Sequence, residues 1–472
     1  MTAAGPGRTP VRPDPAGPDG PVRVVVLTDT DSYVKWGAAL ASALPGHWRT
    51  ELVVARSAAR PSPAQLSDAL SGTSWAGQTP RTVSMEDLRD LLTIERPDVL
   101  VLAARGYTVE AAMSLVENEP HRPVLVTGLP GVGIPVLPYG LGFRRAADVF
   151  VVHSRREVRE FTHAAARLGL PARFALARLP YLPEPGAATI RCDDGPVVFA
   201  AQALVPAARA DRVHLVDRLA EAARARPDRE VVIKVRAMPG EAQTHHEQVP
   251  LGELVEALPD RPANLVVRAG PMREALQGAS ALVTVSSTAL LEAVAAGVPV
   301  LALDDYGIGV EQINVVLQDS GVVGSTRDLV AGRFAAPRPG WLADNYFHDP
   351  GEDTWLARVQ DLLAVRACSG LPPFLENTGL IDRRVRRLMY RHFAFSDGAG
   401  TGLSGGAQRV VVDTALWLNQ RRSGVARLLW RSPRGARAVA FAQENTEQTR
   451  VAAADASSGP GPDRPGGPAA RC

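Results

Sequence analysis

Three hydroxyls, Ser286, Ser287 and Thr288, stand together in the run VTVSSTALLEAVAAGVPVLALDDYG, and Glu292 follows Thr288 by four residues. The apolar alternation before Ser286 predicts a strand, TALLEAVAAG predicts a short helix closing at Gly297, and VPVLAL predicts a second strand. The first turn of a helix carries unpaired N–H groups and partial positive charge, so this spacing can hold a phosphate with backbone and side-chain donors together. Ordinary N-capping asks for one hydroxyl rather than three. Glu292 lies one helical turn beyond Thr288, on the same face, where a carboxylate can accept from ribose hydroxyls or simply face solvent.

A second group lies in EVVIKVRAMPGEAQTHHE. Lys234 and Arg236 are two residues apart at the end of a predicted strand, so both point to one face, as a diphosphate requires. His245 and His246 are adjacent and project apart, so a shared metal is disfavoured and His245 is read as a hydrogen-bond donor or titrating group. A third group is LTDTDSYVKWGAAL, where Asp29, Asp31 and Ser32 follow a strand and Lys35 begins a helix. The carboxylates can cap the helix or act as a base; Asp31 is the first choice to activate an acceptor, with Asp29 and His153, after VFVV, as rivals. A fourth, TGLPGVGIPVLPYGLGFRRAAD, is rich in Gly and Pro and lets backbone approach a ligand or form turns.

Holding these groups requires a repeating scaffold. VRVVVLTD, TELVVA, DVLVLAA, PVLVTG and DVFVVHS are short apolar runs alternating with helical segments, the pattern of a parallel sheet covered on both faces. After LPEPGAAT the cycle restarts with GPVVFAA, EVVIKVRA, NLVVRAG and the hydroxyl run. The expected fold class is therefore α/β, with two Rossmann-like parallel-sheet domains facing a cleft, over 22–185 and 195–365. A disordered segment is expected over 1–21, a basic helical extension over 371–445 and a disordered tail over 446–472. In the extension Arg383, Arg384, Arg386, Arg387 and Arg391 interleave with apolar residues. Such a face packs on a domain in solvent or is drawn to an anionic membrane surface.

Composition narrows the function classes. With 52 Lys plus Arg against 50 Asp plus Glu in 472 residues, no global charge favours nucleic acid. Cys192, Cys368 and Cys472 are far apart and lack metal-ligand spacing, which fits a reducing, cytoplasmic setting. The first residues, rich in Pro and Gly, lack the apolar core of a signal peptide, and the apolar run around Ser286 carries Glu292 and three hydroxyls, unlike a membrane span.

The order of these motifs resembles the GT-B glycosyltransferases. DSYVKW, KVRAMPGEAQTHHE and VSSTALLEAVAAGVPVLALDDYGI are more narrowly similar to an actinobacterial group of glycosyltransferases of unassigned activity, over about 22–363. The resemblance implies that the second domain binds a nucleotide-sugar donor and the first a hydroxyl acceptor, in cell-envelope glycan or glycolipid synthesis. By position, Ser287 and Thr288 would meet phosphate, Glu292 the ribose, and Lys234 or Arg236 the departing diphosphate. Polymer-forming relatives carry a Lys-Pro-His-Pro signature where this chain has KVRAMPG, which leaves the role of His245 open. No cofactor and no essential metal are expected: Asp29-Thr30-Asp31 lies in the wrong domain for a nucleotide-bound metal. A nucleotide-sugar epimerase of the same architecture and a non-catalytic nucleotide-sugar-binding protein stand as alternatives. The first would turn over a nucleotide sugar with no acceptor present; the second would bind without turnover.

Overall fold

A computed structural model of the chain describes residues 20–57, 59–117, 119, 121–182, 192–202, 205–235 and 249–372. Arg236, His245 and the arginines of 383–391 lie outside the described residues.

The chain forms two parallel-sheet α/β domains. The first sheet has seven strands, β1 (Arg23–Thr28), β2 (Arg49–Ala55), β3 (Arg81–Val83), β4 (Val99–Ala103), β5 (Val124–Gly128), β6 (Val149–Val152) and β7 (Phe174–Leu176), in the order β3-β2-β1-β4-β5-β6-β7. The second has six, β8 (Val197–Ala200), β9 (Val231–Lys234), β10 (Leu265–Arg268), β11 (Ala281–Thr284), β12 (Val300–Leu303) and β13 (Val323–Gly324), in the order β10-β9-β8-β11-β12-β13. Within each sheet all paired strands run parallel. The inner strands are buried along their length because helices cover both faces, which is why they read as unbroken apolar runs rather than as alternation.

Strand order reverses twice, between β1 and β4 and between β8 and β11. Connections leave such a pair in opposite directions, so a crevice opens at the carboxyl ends, where open α/β sheets take their ligands. The registers Thr28↔Ala103 and Val283↔Phe199 bring Asp29 level with the residues after β4, and Ser286 level with Gln202.

Helix Asp31–Ser42 lies close on the first crevice because Gly37 faces the sheet: a Cβ there would stand 2.8 Å from Ala103 Cβ and 3.0 Å from Thr28 Cγ2. Helix Ala289–Ala295 ends as the sequence predicts, with Gly297 in the left-handed region at φ 71°. One core joins the domains. Ile134, Leu179 and Leu182 pack with Leu290, Leu291, Trp341 and Tyr346, and each buried aliphatic side chain contributes about 1.5–3 kcal/mol.

The second span does not keep its last helix. Trp355–Ser369 lies on the first sheet, with Trp355 and Val359 in the core that holds Val24 and Val126. Arg366 fixes it by pairing with Asp98 at 2.7 Å and donating to Arg122 O, while Arg122 donates to Pro372 O and forms a two-pronged pair with Asp148. Its apolar positions therefore serve the other domain, which periodicity alone does not reveal. Among the described residues no helix is long and apolar enough to cross a membrane.

Candidate functional site

The two crevices face each other, and one ion pair spans them. Lys35 Nζ, in the first turns after β1, lies 2.9 Å from Glu292 Oε1, in the helix after β11. The side chains are 35% and 15% exposed. Lys35 Nζ also sits 4.5 Å from the centre of the Tyr181 ring, a cation–π contact. Tyr181 donates to Pro130 O at 3.1 Å and accepts from Thr288, and burial pushes its phenol well above the ordinary range. Gly131 fits beside this group because a Cβ would fall 2.9 Å from Thr288 Cγ2. Thr288, Glu292, Lys35 and Tyr181 thus form one cross-domain cluster.

In the second crevice the hydroxyls have internal partners. Gln202, just beyond β8, binds Ser286 twice over: its Oε1 accepts from Ser286 N at 2.9 Å and its Nε2 donates to Ser286 Oγ at 2.9 Å. Ser287 Oγ accepts from Ala289 N at 3.2 Å, a local turn just ahead of the helix. Thr284 Oγ1 donates to Ala200 O and accepts from Ser287 N, which locks the turn. Thr288 N and Glu292 Oε2 make no hydrogen bond among the described residues. Lys234 is buried at the end of β9, with Nζ donating to Val235 O at 2.7 Å.

In the first crevice the three candidate bases part company. Asp29 is fully buried, and its carboxylate accepts from Arg105 N, from Arg105 Nε at 2.9 Å and from Thr108 Oγ1 at 2.8 Å. His153 is also buried. Its Nε2 accepts from Trp36 Nε1 at 2.8 Å and its Nδ1 faces Ala177 O at 3.0 Å, so the Nδ1–H tautomer satisfies both. Burial holds the imidazole below its ordinary value of 6.5, against the opposing pull of Glu157. Asp31 is half-buried at the start of its helix, with Ser32 Oγ 3.4 Å from Oδ1, and lies one turn before Lys35.

Glu157 anchors the loop between the crevices. It is buried and accepts from Gly133 N, His153 N and Tyr346 Oη at 2.7 Å each, so it ties the Gly-rich element to the chain returning from the second domain. Arg159 pairs with Asp344, and Arg155 with Glu352, along the same helix, Arg155–Leu168.

Sequence reasoning missed Gln202, Arg105, Tyr181 and Glu157. Gln202 and Arg105 had a signal: each follows an apolar strand run just as Asp29 does. Tyr181 and Glu157 gave none, because their roles depend on partners distant in the chain.

Solved structures with low identity align over most of the chain. UDP-GlcNAc 2-epimerase of Methanocaldococcus jannaschii, in complex with UDP-GlcNAc and UDP, is 11% identical, covers 72% of this chain and 99% of its own, and gives a TM-score of 0.48. UDP-GlcNAc 2-epimerase from Neisseria meningitidis, bound to UDP-GlcNAc, is 12% identical over 73% and 99%, with a TM-score of 0.44. The glycosyltransferase SnogD from Streptomyces nogalater is 14% identical over 75% and 97%, with a TM-score of 0.35. No curated protein matches the sequence. A family model matches residues 24–362, most of the chain, and by that match the protein belongs to the family described as "Putative glycosyltransferase (DUF6716)".

Proposed function

We propose that the protein transfers a sugar from a nucleotide-sugar donor, held by the second domain, to a hydroxyl acceptor held by the first. The observation that carries this reading is the Lys35–Glu292 pair, which sets the end of β1 against the turn after β11 and so puts two ligand-binding crevices within one reaction distance. Family membership supplies the reaction class.

In the donor crevice Thr288 N and the hydroxyl turn donate to the diphosphate, with Lys234 as the neighbouring cation, and Glu292 Oε2 accepts from a ribose hydroxyl. In the acceptor crevice Asp31 takes the proton of the attacking hydroxyl. Its half-buried position supports this choice over Asp29 and His153, which are buried in the interior. The acceptor oxygen bonds to the anomeric carbon, the carbon–oxygen bond to the diphosphate breaks, and the electron pair leaves on the diphosphate oxygen. Donor fixation by charge and hydrogen bonds suffices for this step without a metal.

The test is calorimetric titration with a panel of nucleoside diphosphates, followed by assay of the matching nucleotide sugar with and without hydroxyl acceptors. The reading expects binding that weakens in Thr288→Ala and Lys234→Met, and diphosphate release that depends on acceptor. Turnover of the donor with no acceptor would point to an epimerase, and binding with no turnover under any acceptor to a binding protein.

A further inference from the structure

The first crevice holds more positive charge than its own fold uses. Arg144 is 4% exposed, and its guanidinium reaches only neutral acceptors: Ala104 O at 2.7 Å, Tyr33 Oη at 2.8 Å and Gly140 O at 3.2 Å. Its Nε has no partner, and no carboxylate pairs with it among the described residues. A buried guanidinium without a counter-ion is costly to keep. Asp29, the buried carboxylate that also acts on Tyr33, is already engaged by Arg105 and Thr108.

Arg105 adds the second feature. Its Nε is anchored on Asp29 while Nη1 and Nη2 reach no acceptor among the described residues, and the side chain is 33% exposed. An anchored guanidinium with a free fork is preset for two parallel bonds to a carboxylate or phosphate. Tyr33 is the third: its oxygen accepts from Arg144, and its own O–H has no acceptor among the described residues. The charged groups around Tyr33 are Arg144, Asp29 and Arg105, which leaves one net positive charge, with half-buried Asp31 two residues away in sequence.

We propose that Arg105, Tyr33 and Arg144 form an anion subsite at the carboxyl ends of β1 and β4 that takes a phosphate or carboxylate borne by the acceptor. This rests on the transferase reading and narrows its acceptor to an anionic hydroxyl compound. The fork of Arg105 grips the anion, the Tyr33 O–H donates a hydrogen bond to it, and Arg144 holds Tyr33 in place and supplies the balancing charge.

Ligand-observed NMR with the full chain tests it, with glycerol 3-phosphate and glycerol as soluble probes and phosphatidylglycerol vesicles in a phosphatidylcholine background as the lipid probe. Glycerol 3-phosphate is expected to bind and glycerol not, with affinity falling at least about tenfold in Tyr33→Phe and Arg105→Lys, the loss of one charge-assisted bond. Vesicle binding lost in the same variants, with no soluble binding, assigns the anion to a lipid headgroup. Neither probe binding, equal binding of glycerol, indifference to both variants, or loss only in Lys234→Met overturns the proposal. Lys234 belongs to the donor crevice, so failure of nucleoside diphosphates to bind would strike the transferase reading separately.

Discussion

The two crevices solve one topological problem with different chemistry. At β1/β4 the gap is bridged by ions: Asp29 binds Arg105 and Thr108, and Arg144 adds a further buried charge. At β8/β11 it is bridged by neutral groups, Gln202 against Ser286 and Thr284 against Ala200. A charged network in the interior is rigid, and costly to disturb because any survivor is left charged and dry. A neutral network exchanges partners more cheaply, as a turn that admits a diphosphate must. On the proposed transferase reading, this difference corresponds to a fixed, charge-reading acceptor side and an adaptable donor side.

Removing Asp29 should break that contrast most visibly. Asp29→Ala strands Arg105 N and Thr108 Oγ1 inside the fold, at about 1–3 kcal/mol for each buried group. The partly exposed Arg105 side chain can rehydrate, so a loss of about 3 kcal/mol is expected in chemical denaturation. The equivalent cut on the other side, Gln202→Ala, should cost only about 1 kcal/mol. Equal losses would erase the distinction between the crevices.

Asp31 sharpens it in activity rather than stability. Asp31→Asn should leave the melting temperature and nucleotide binding near wild type while transfer falls at least about a hundredfold, the usual worth of a general base. Normal transfer by the variant would reduce Asp31 to a helix cap.

The buried imidazole of His153 should make folding stability depend on pH. The unfolded chain protonates His153 near 6.5 while the folded chain resists until a lower pH, so the unfolded state binds more protons in that window. Stability contributed at neutral pH should therefore decline as pH falls below about 6.5, and His153→Gln, which keeps an acceptor for Trp36, should flatten that decline. Denaturant midpoints between neutral and mildly acidic pH decide it. The smallest effect belongs to the bridge. Lys35→Met should change stability by less than about 1 kcal/mol, because the pair is partly solvated, and the change should shrink further with added salt.

Much of the fold was legible because parallel strands covered on both faces must be short apolar runs, and VRVVVLTD, DVLVLAA and GPVVFAA have no other economical use. The hydroxyl turn and Lys35 were legible for a related reason: polar residues following such a run stand at a strand end. The pairing of Lys35 with Glu292 was not, since it joins residues 257 apart and depends on how two domains dock. Asp29 illustrates the opposite limit. Its type and place suggested a base, and only the arrival of Arg105 and Thr108, fixed by the register of β1 on β4, turned it inward. Helix Trp355–Ser369 shows the same limit for the 195–365 span, since position in the chain does not say which sheet a helix covers.

If the second crevice takes the nucleotide and the first does not, backbone protection will differ between them. Amide hydrogen exchange of the full chain, with and without saturating nucleoside diphosphate from a panel covering the common bases, measures this directly. Added protection is expected over 284–292 and at Gln202, with a smaller change around Lys35 across the cleft and none at Arg105. Protection confined to the ends of β1 and β4, or none with any nucleotide, would contradict it.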